Sequence, residues 1–317
     1  MFNLSNQPRP AYGGQAVVEG VMFGGKHYTV TAIRRKDDTI EYYEEQKEEI
    51  PWVKKLQKIP FLRGIVGLIS SSANGSKHLN FSTERYDSEP GEEDKESSAP
   101  SKLTMILGVA VIGVLSFLFG KLIFTVVPAI LADVLFQRVT NNIVQNLIEG
   151  GIKIILLLVY ILAIARTPMI KRLFQYHGAE HKVINAYEAG VELTVKRVQQ
   201  FSTLHYRCGS SFIVFTVLVG VVIYSFFHYD SLWERIYQRI LLLPVVIGVS
   251  YETLQATNKL RDVPFLRILG YPGLWLQKIT TREPDDKQVE VAIASFLRMR
   301  ELDEAKHNAP TTTISIS

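Results

Sequence analysis

The stretch SSFIVFTVLVGVVIYSFF (residues 210–227) contains eighteen residues and no charged side chain. A helix needs about 20 predominantly apolar residues, with a range of about 17–25, to cross the hydrocarbon core of a bilayer. The stretch therefore predicts a membrane-spanning helix. Three further apolar blocks occur in the chain, at residues 103–120 (continuing to about 131), 151–165 and 240–254. The last two reach the length of a span only with their flanking residues, so buried core helices are the alternative for them.

The composition agrees with apolar residues that are concentrated in blocks. The chain has 317 residues and a mean hydropathy of +0.11, although 21% of the residues are charged. Its net charge of +4 is mild and gives no reason to expect a nucleic-acid partner. The only cysteine, Cys208, cannot form an intrachain disulfide. The first ten residues lack the features of a signal peptide, so internal segments are expected to enter the membrane.

Basic residues are distributed unevenly between the predicted spans. Residues 132–150 contain one arginine and no lysine, whereas residues 166–209 contain seven basic residues. The positive-inside rule then places the N-terminus, the loop 166–209 and the C-terminus in the cytoplasm. The fold class predicted is a mainly α membrane protein with four transmembrane helices, a small cytoplasmic α+β N-terminal region and an amphipathic C-terminal helix.

The predicted domains follow from changes in composition. Residues 1–82 form the N-terminal region, with a hairpin that turns at Asp37 and Asp38 and an apolar helix at 61–80 that packs in a core or lies on the membrane. Residues 83–102 are acidic and rich in proline and serine, which is typical of a disordered linker. The membrane domain covers 103–255. The cytoplasmic segment 256–317 contains an amphipathic helix at 285–300, which starts with a capping box of Asp285 and Gln288.

The cytoplasmic loop contains the stretch YHGAEHKVINAYEAG (residues 176–190). Thr167 and Pro168 are typical of a helix start and Gly190 of a helix end, so one helix is predicted over 168–189. His177, Glu180 and His181 would share a face of this helix, because they stand at positions i, i+3 and i+4. Glu188 lies seven residues beyond His181, which returns it close to the same face.

The spacing His-x-x-Glu-His is the pattern of the inverzincins. Two imidazoles one turn apart can hold Zn²⁺ or another divalent metal, and Glu180 can act as the general base for a hydrolytic water. A third ligand is expected from the same side of the membrane, where Glu252 and His205 are the candidates. Further polar candidates for the site are Glu188, Cys208 and Glu19. Because the motif also occurs on charged helix surfaces, a structural polar network without metal is the alternative.

Five stretches carry a resemblance to a known family: GGQAVVEGVM (14–22 at its core), FQYHGAEHKVINAYEAG (174–190), FSTLHYRCGSSF (201–212), SYE (250–252) and PGLWLQKITTREPDDKQVEVAI (272–293). In this order they resemble the YqhQ-like family of bacterial multi-pass membrane proteins, described as uncharacterised or as predicted metal-dependent enzymes. The resemblance implies a bacterial cell-membrane protein with four spans. The positions that match the family are His177, Glu180, His181, Glu188, His205, Cys208 and Glu252.

Two functions are consistent with these features. The first is a metal-dependent, zinc-type hydrolase that acts on a peptide or a lipid-linked substrate at the cytoplasmic membrane. The second is a non-enzymatic membrane scaffold, or a partner of envelope or protein-insertion machinery, in which the histidines and glutamates form a structural network. The lipid bilayer is the expected partner in both. A membrane domain of only four helices is also consistent with unknown protein partners or a homo-oligomer.

Overall fold

A four-stranded antiparallel sheet near the N-terminus is the only sheet in the described part of the chain. The computed structural model describes residues 10, 12–48, 50–87, 120, 122–260 and 263–308. The strands follow one another in chain order: β1 (Gly13–Val17), β2 (Gly20–Gly24), β3 (Tyr28–Arg34) and β4 (Ile40–Gln46). The predicted hairpin is confirmed, because β3 pairs with β4 and Asp38 adopts the left-handed conformation (φ 70°) in the turn. The glycine at position 20 is required, because a Cβ there would lie 2.1 Å from the carbonyl oxygen of Ala32 on β3.

Helices make up most of the remaining described chain. In the N-terminal half they are α1 (Pro51–Leu56), α2 (Leu62–Asp87), a π-helical turn (Leu122–Val126), α3 (Val127–Leu135) and α4 (Asn142–Ile164). They continue with α5 (Pro168–Glu188), α6 (Val195–Val198), α7 (Ser211–Tyr224), α8 (Leu232–Leu241) and α9 (Leu243–Lys259). The last elements are a 3-10 turn (Leu266–Gly270), α10 (Tyr271–Thr280) and α11 (Asp286–Asn308). The protein is thus mainly helical, as predicted.

Both faces of the sheet are covered, because alternate residues of a strand point to opposite sides. Val21 and Phe23 of β2 join a core with residues of α5 and α11, including Tyr176 and Phe296. Met22, between them on β2, belongs to a second small core on the other face, which Phe81 of α2 completes. The sheet is therefore the middle layer between α2 on one side and α5 with α11 on the other.

The predicted helix at 168–189 is confirmed as α5. Thr167 precedes it with extended backbone angles, and Pro168 occupies its first position, where the missing N–H costs no hydrogen bond. Gly190 ends it with a φ of 80°, which glycine adopts without strain. The N–H of Val191 then donates to the carbonyl of Ala186 at 3.1 Å, which closes the end of the helix.

The amphipathic C-terminal helix is confirmed as α11, and it continues beyond the predicted end at 300 to Asn308. Its capping box forms as predicted: Gln288 N donates to Asp285 Oδ1 at 2.8 Å, and Asp285 N donates to Gln288 Oε1 at 3.0 Å. Phe296 is fully buried against the sheet, whereas its neighbour Leu297 is 45% exposed. The side of α11 that packs on the sheet therefore includes Phe296 but not Leu297.

The second helix, α2, differs from its prediction in two ways. It continues to Asp87, into the range 83–102 predicted as a disordered linker, because its end is tied to the sheet: Val18 N donates to Ser82 Oγ at 3.2 Å, and Arg85 pairs with Glu41 at 3.0 Å. The linker from residue 88 onward lies outside the described residues. The buried positions of α2 are small or polar, and several of its larger apolar side chains, such as Ile69 at 64%, are exposed, whereas Phe81 packs on the sheet.

One described helix, α4, is long and apolar enough to cross a membrane by length and composition. The pair α8 and α9 would add a second candidate if the two helices, bent by 53°, form one broken span. The third predicted span corresponds to α7, which has 14 residues and is therefore shorter than the bilayer core requires. Most of the first predicted span, at 103–131, lies outside the described residues.

A buried ionic cluster holds α8 against α4. Arg235 and Arg239, one turn apart on α8, are both 0% exposed and both contact the carboxylate of Glu149 on α4, at 2.8 and 2.9 Å. The same carboxylate lies 3.8 Å from Lys153 Nζ. The aromatic ring of Tyr224 covers the Arg239 guanidinium at 4.2 Å. This cluster was not predicted from the sequence, because the residues before 240 were interpreted as an extension of the apolar block 240–254.

Candidate metal centre

The centre lies where α5 meets the chain that follows α6 and the C-terminal end of α10. Gly178, in the middle of the His-x-x-Glu-His motif, is required by this contact, since a Cβ there would lie 2.1 Å from the carbonyl oxygen of Arg282. The N–H of Arg282 donates to the carbonyl of Phe174 at 2.9 Å, which holds the segment after α10 on α5. The close packing places His177 and His181 against two different backbone segments.

Both histidines are fixed by backbone carbonyl groups. His177 Nδ1 donates to the carbonyl of Thr280 at 2.8 Å, and His181 Nδ1 donates to the carbonyl of Thr203 at 2.5 Å. Because a carbonyl can only accept, each Nδ1 carries a proton, and in the neutral ring Nε2 is then the acceptor atom. His177 Nε2 lies 3.2 Å from the Sγ of Cys208. The ligand atoms of His177, His181 and Cys208 all lie within 4.8 Å of one another.

The chemistry of these three donors fits a divalent metal ion. Imidazole nitrogen and thiolate sulfur are the donors that zinc prefers, and sets of three protein ligands are typical of catalytic zinc sites. Histidine ligands of metals almost always donate their second ring N–H to a carbonyl or carboxylate, as both histidines do here. Burial lowers the pKa of His181, which keeps this imidazole in the neutral form that binds metal.

Glu180 is buried beside this cluster, where α5 faces β1. The N–H of Gly14 on β1 donates to its carboxylate, and a Cβ on that glycine would lie 3.0 Å from the Cγ of Glu180. Burial raises the pKa of Glu180 from 4.5 to about 6, and the nearby His177 and the Gly14 hydrogen bond limit the increase. A carboxylate with a pKa in this range can accept and release a proton near neutral pH, as a general base must.

His205 and Glu188 lie next to the cluster but form a separate pair. The rings of His205 and His181 are 5.8 Å apart, and His205 Nε2 lies 3.6 Å from Glu188 Oε1 without a hydrogen bond. Glu188 also binds the guanidinium of Arg207. Gln277 fixes the backbone of His205 with two hydrogen bonds of 2.8 Å: His205 N donates to Gln277 Oε1, and Gln277 Nε2 donates to the carbonyl of His205.

The structure does not bring Glu252 and Glu19 to the cluster. Glu252 accepts from Arg63 Nε at 2.7 Å and from Phe61 N at 3.1 Å, at the start of α2. Glu19 accepts from Arg172 Nε at 2.5 Å. The third donor beside the two histidines is therefore Cys208, in place of the predicted Glu252 or His205. The correction has a physical reason, since Arg63 neutralises Glu252 and the sequence carries no signal of their pairing.

Several groups that build the centre escaped the sequence analysis. Thr203 and Thr280 contribute only backbone carbonyls, which any residue could supply, so residue types give no indication of their role. Gln277 is a polar residue that is 0% exposed on α10. Its position inside the stretch 272–293, which carried part of the family resemblance, is the one signal that could have identified it.

Together the fold and the site define a mainly helical protein with a small N-terminal antiparallel sheet and a buried His–His–Cys cluster. Residues 59–302 match the family described as "Protein of unknown function (DUF1385)". The chain is 56% identical over 301 residues to "Uncharacterized protein YqhQ" of Bacillus subtilis (strain 168), which covers 93% of this chain and 95% of that protein. The chain therefore belongs to this YqhQ-like family, as its motifs predicted. No solved structure matches the chain.

Proposed function

We propose that this protein is a multi-pass protein of the bacterial cytoplasmic membrane that binds zinc at its cytoplasmic face and catalyses a hydrolytic reaction there. The ligands are His177, His181 and Cys208. The observation that carries the proposal is the pair of Nδ1–carbonyl hydrogen bonds, which leave Nε2 of each ring as the possible metal ligand atom in a group that includes the Cys208 thiol.

Exposed apolar side chains on three of the described helices support the membrane placement. On α4 the side chains of Ile155 and Val159 are 61% and 59% exposed, and on α7 Val222 is 59% exposed. On α8 the apolar side is the exposed one, with Trp233 at 79%, while its arginines point inward. A water-soluble protein rarely exposes contiguous apolar surface of this kind, whereas lipid would cover it. The charge distribution of the connections supports cytoplasmic N- and C-termini.

In this function the chain's own residues hold the reactants and move a proton. Bound zinc would supply a Lewis acid that polarises the bond to be cleaved. The Glu180 carboxylate takes a proton from the attacking water, and its raised pKa lets it return that proton to the leaving group. The hydrogen bond from Gly14 N–H holds the carboxylate in place on the β1 side.

Metal content tests the proposal directly. The full chain is purified in detergent, without added metal or chelator, and bound metal is measured by mass spectrometry. We expect stoichiometric zinc in the wild type and loss of zinc in His177→Ala, His181→Ala and Cys208→Ser. The matched control is His228→Ala, which removes an exposed histidine outside the cluster and should keep the metal. A metal-free wild type, or equal zinc in His177→Ala, would contradict the proposal.

The non-enzymatic scaffold is the second candidate function. It is favoured by the way the cluster ties α5 to the segments around Thr203 and Thr280, which would also stabilise a docking platform. The Glu180→Gln substitution separates the two functions. A chromosomal Glu180→Gln copy that makes normal amounts of zinc-loaded protein should behave like a deletion of the gene if the protein is an enzyme. Full function of that copy would contradict the catalytic role and support the scaffold.

A further inference from the structure

A basic cavity of about 270 Å³ opens where α4 and α10 end side by side. Its walls combine three cations with three apolar residues and contain no acidic side chain: Leu162, Ala165, Arg166, Lys278, Ile279 and Arg282. All three cationic residues are exposed to solvent. A concave surface with one sign of charge and partly apolar walls concentrates the field and attracts an anion.

No described carboxylate compensates the positive charge of this cavity. Arg166, Lys278 and Arg282 form no ion pair with a carboxylate of the described residues, and the lining contains no acidic residue. Arg282 Nη2 donates to the carbonyl of Ala165 at 3.4 Å, which positions its guanidinium at the end of α4 but leaves its charge available. Three uncompensated cations around one cavity therefore indicate a site for a phosphate-type anion, which arginine and lysine both bind.

An apolar track leads from the cavity along the surface of α4. Ile155, Val159 and Leu162 are 61%, 59% and 47% exposed and, at spacings of four and three residues, lie on one side of the helix that continues to Arg166. Trp275 on α10, one turn before Lys278, is 63% exposed, and tryptophan is typical of the membrane interface. The basic cavity thus lies where a lipid headgroup would bind, and the apolar side of α4 lies where its acyl chains would follow.

We propose that the cavity binds the phosphate of an anionic membrane lipid, with the acyl chains lying along α4. The inference rests on the membrane placement in the proposed function, but it does not require zinc. Basic pockets at the cytoplasmic ends of membrane helices are suited to such headgroups. A soluble phosphate compound shares the same headgroup chemistry, but it would make no use of the apolar track.

The cavity and the metal centre share one segment of the chain. Thr280 follows two lining residues of the cavity, Lys278 and Ile279, and its carbonyl accepts the hydrogen bond from His177. Arg282, also in the lining, holds α5 through its backbone N–H. A lipid phosphate in the cavity would therefore be held by the same segment of the chain whose backbone orients His177.

Binding of short-chain lipids to the purified full chain in detergent tests the inference. The probes are dihexanoyl-phosphatidylglycerol, dihexanoyl-phosphatidylcholine and inorganic phosphate, each titrated by calorimetry. We expect the anionic lipid to bind most tightly. Removing one cation, in Arg166→Gln or Lys278→Gln, should weaken it about fivefold, and the double variant about 25-fold. The matched control is Arg267→Gln, an exposed arginine outside the cavity, which should bind as the wild type does.

Three outcomes would overturn the inference: equal binding of the two lipids, unchanged affinity in the double variant, or inorganic phosphate that binds as tightly as the anionic lipid. The last would assign the cavity to a soluble phosphate compound. Zinc content, measured in the same samples, reports on folding and separates this inference from the proposed function. Weakened lipid binding with unchanged zinc supports the lipid site, whereas a zinc-free wild type that still binds the anionic lipid contradicts the metal proposal alone.

Discussion

His78 is a fully buried histidine between α2 and the sheet. Its Nδ1 lies 2.7 Å from Thr31 Oγ1, and its Nε2 lies 3.5 Å from Glu45 Oε2. Burial lowers the pKa of His78 from 6.5 to about 4, against the opposing effect of the Glu45 carboxylate. The imidazole is therefore neutral at physiological pH, and protonating it would place a charge inside the layered N-terminal region.

This histidine should make the stability of the protein dependent on pH. Because the pKa in the folded state lies below the unfolded value, its stabilising contribution is complete above pH 6.5 and is lost as the pH falls towards 4. We expect the free energy of unfolding of the wild type to fall by about 3 kcal/mol more than that of His78→Asn between pH 7 and pH 4. Denaturant titrations in detergent measure the difference. Parallel pH profiles for the two proteins would contradict the prediction.

At the scale of secondary-structure elements, the ionic cluster between α4 and α8 is the contact whose disruption should lower the free energy of unfolding most. Glu149 is the carboxylate that Arg235, Arg239 and Lys153 share, and it is 2% exposed. Removing one partner of a buried ion pair leaves uncompensated charge in a dry environment. We therefore expect the ion pairs, and not the loops on either side of α8, to hold this helix against α4.

We predict that Glu149→Gln lowers the free energy of unfolding by about 3–5 kcal/mol. The control is Glu234→Gln, an exposed acid on α8, whose effect should stay within about 0.5 kcal/mol. Thermal or denaturant unfolding in detergent provides the comparison. If the two variants were equally stable, α8 would be held by its apolar contacts and not by the cluster.

Elements defined by local signals were predictable from the sequence. The proline and glycine at the ends of α5, the Asp285–Gln288 capping box of α11 and the turn at Asp38 each act within a few residues. The contacts of α8 were not predictable, because Arg239 and Glu149 are 90 positions apart in the chain. The same limit applies to the metal centre: α5 presents both histidines as expected, but Cys208 became the third donor through tertiary packing.

At the scale of the whole molecule, the N-terminal sheet and the C-terminal helix form one packed unit. Phe296 of α11 contacts Phe23 of β2 edge to face, with 5.1 Å between the ring centroids. Asp303 accepts hydrogen bonds from the N–H groups of His27 and Tyr28, at 2.8 and 2.9 Å. The boundaries predicted from composition treat these regions as separate, because composition carries no information on long-range contacts.

This packing predicts losses of stability of different size at two neighbouring positions. Phe296→Ala should lower the free energy of unfolding by about 3–5 kcal/mol, because the substitution leaves a cavity in the core between α11 and the sheet. Leu297→Ala removes a side chain that is 45% exposed and should change stability by less than 1 kcal/mol. Unfolding curves of the two variants provide the test, and equal losses would contradict the described position of α11.

The large sequence separation between α11 and the sheet has a consequence for folding during translation. Ser295 Oγ donates to the carbonyl of Val30 across 265 positions of the chain. The strands leave the ribosome first, yet α11, which covers their apolar face, is translated only after the helices between them. Since contacts of such sequence separation form slowly, the nascent sheet must remain protected during translation. Early folding of the sheet therefore depends on α2, because α2 is the covering helix that is translated directly after the strands.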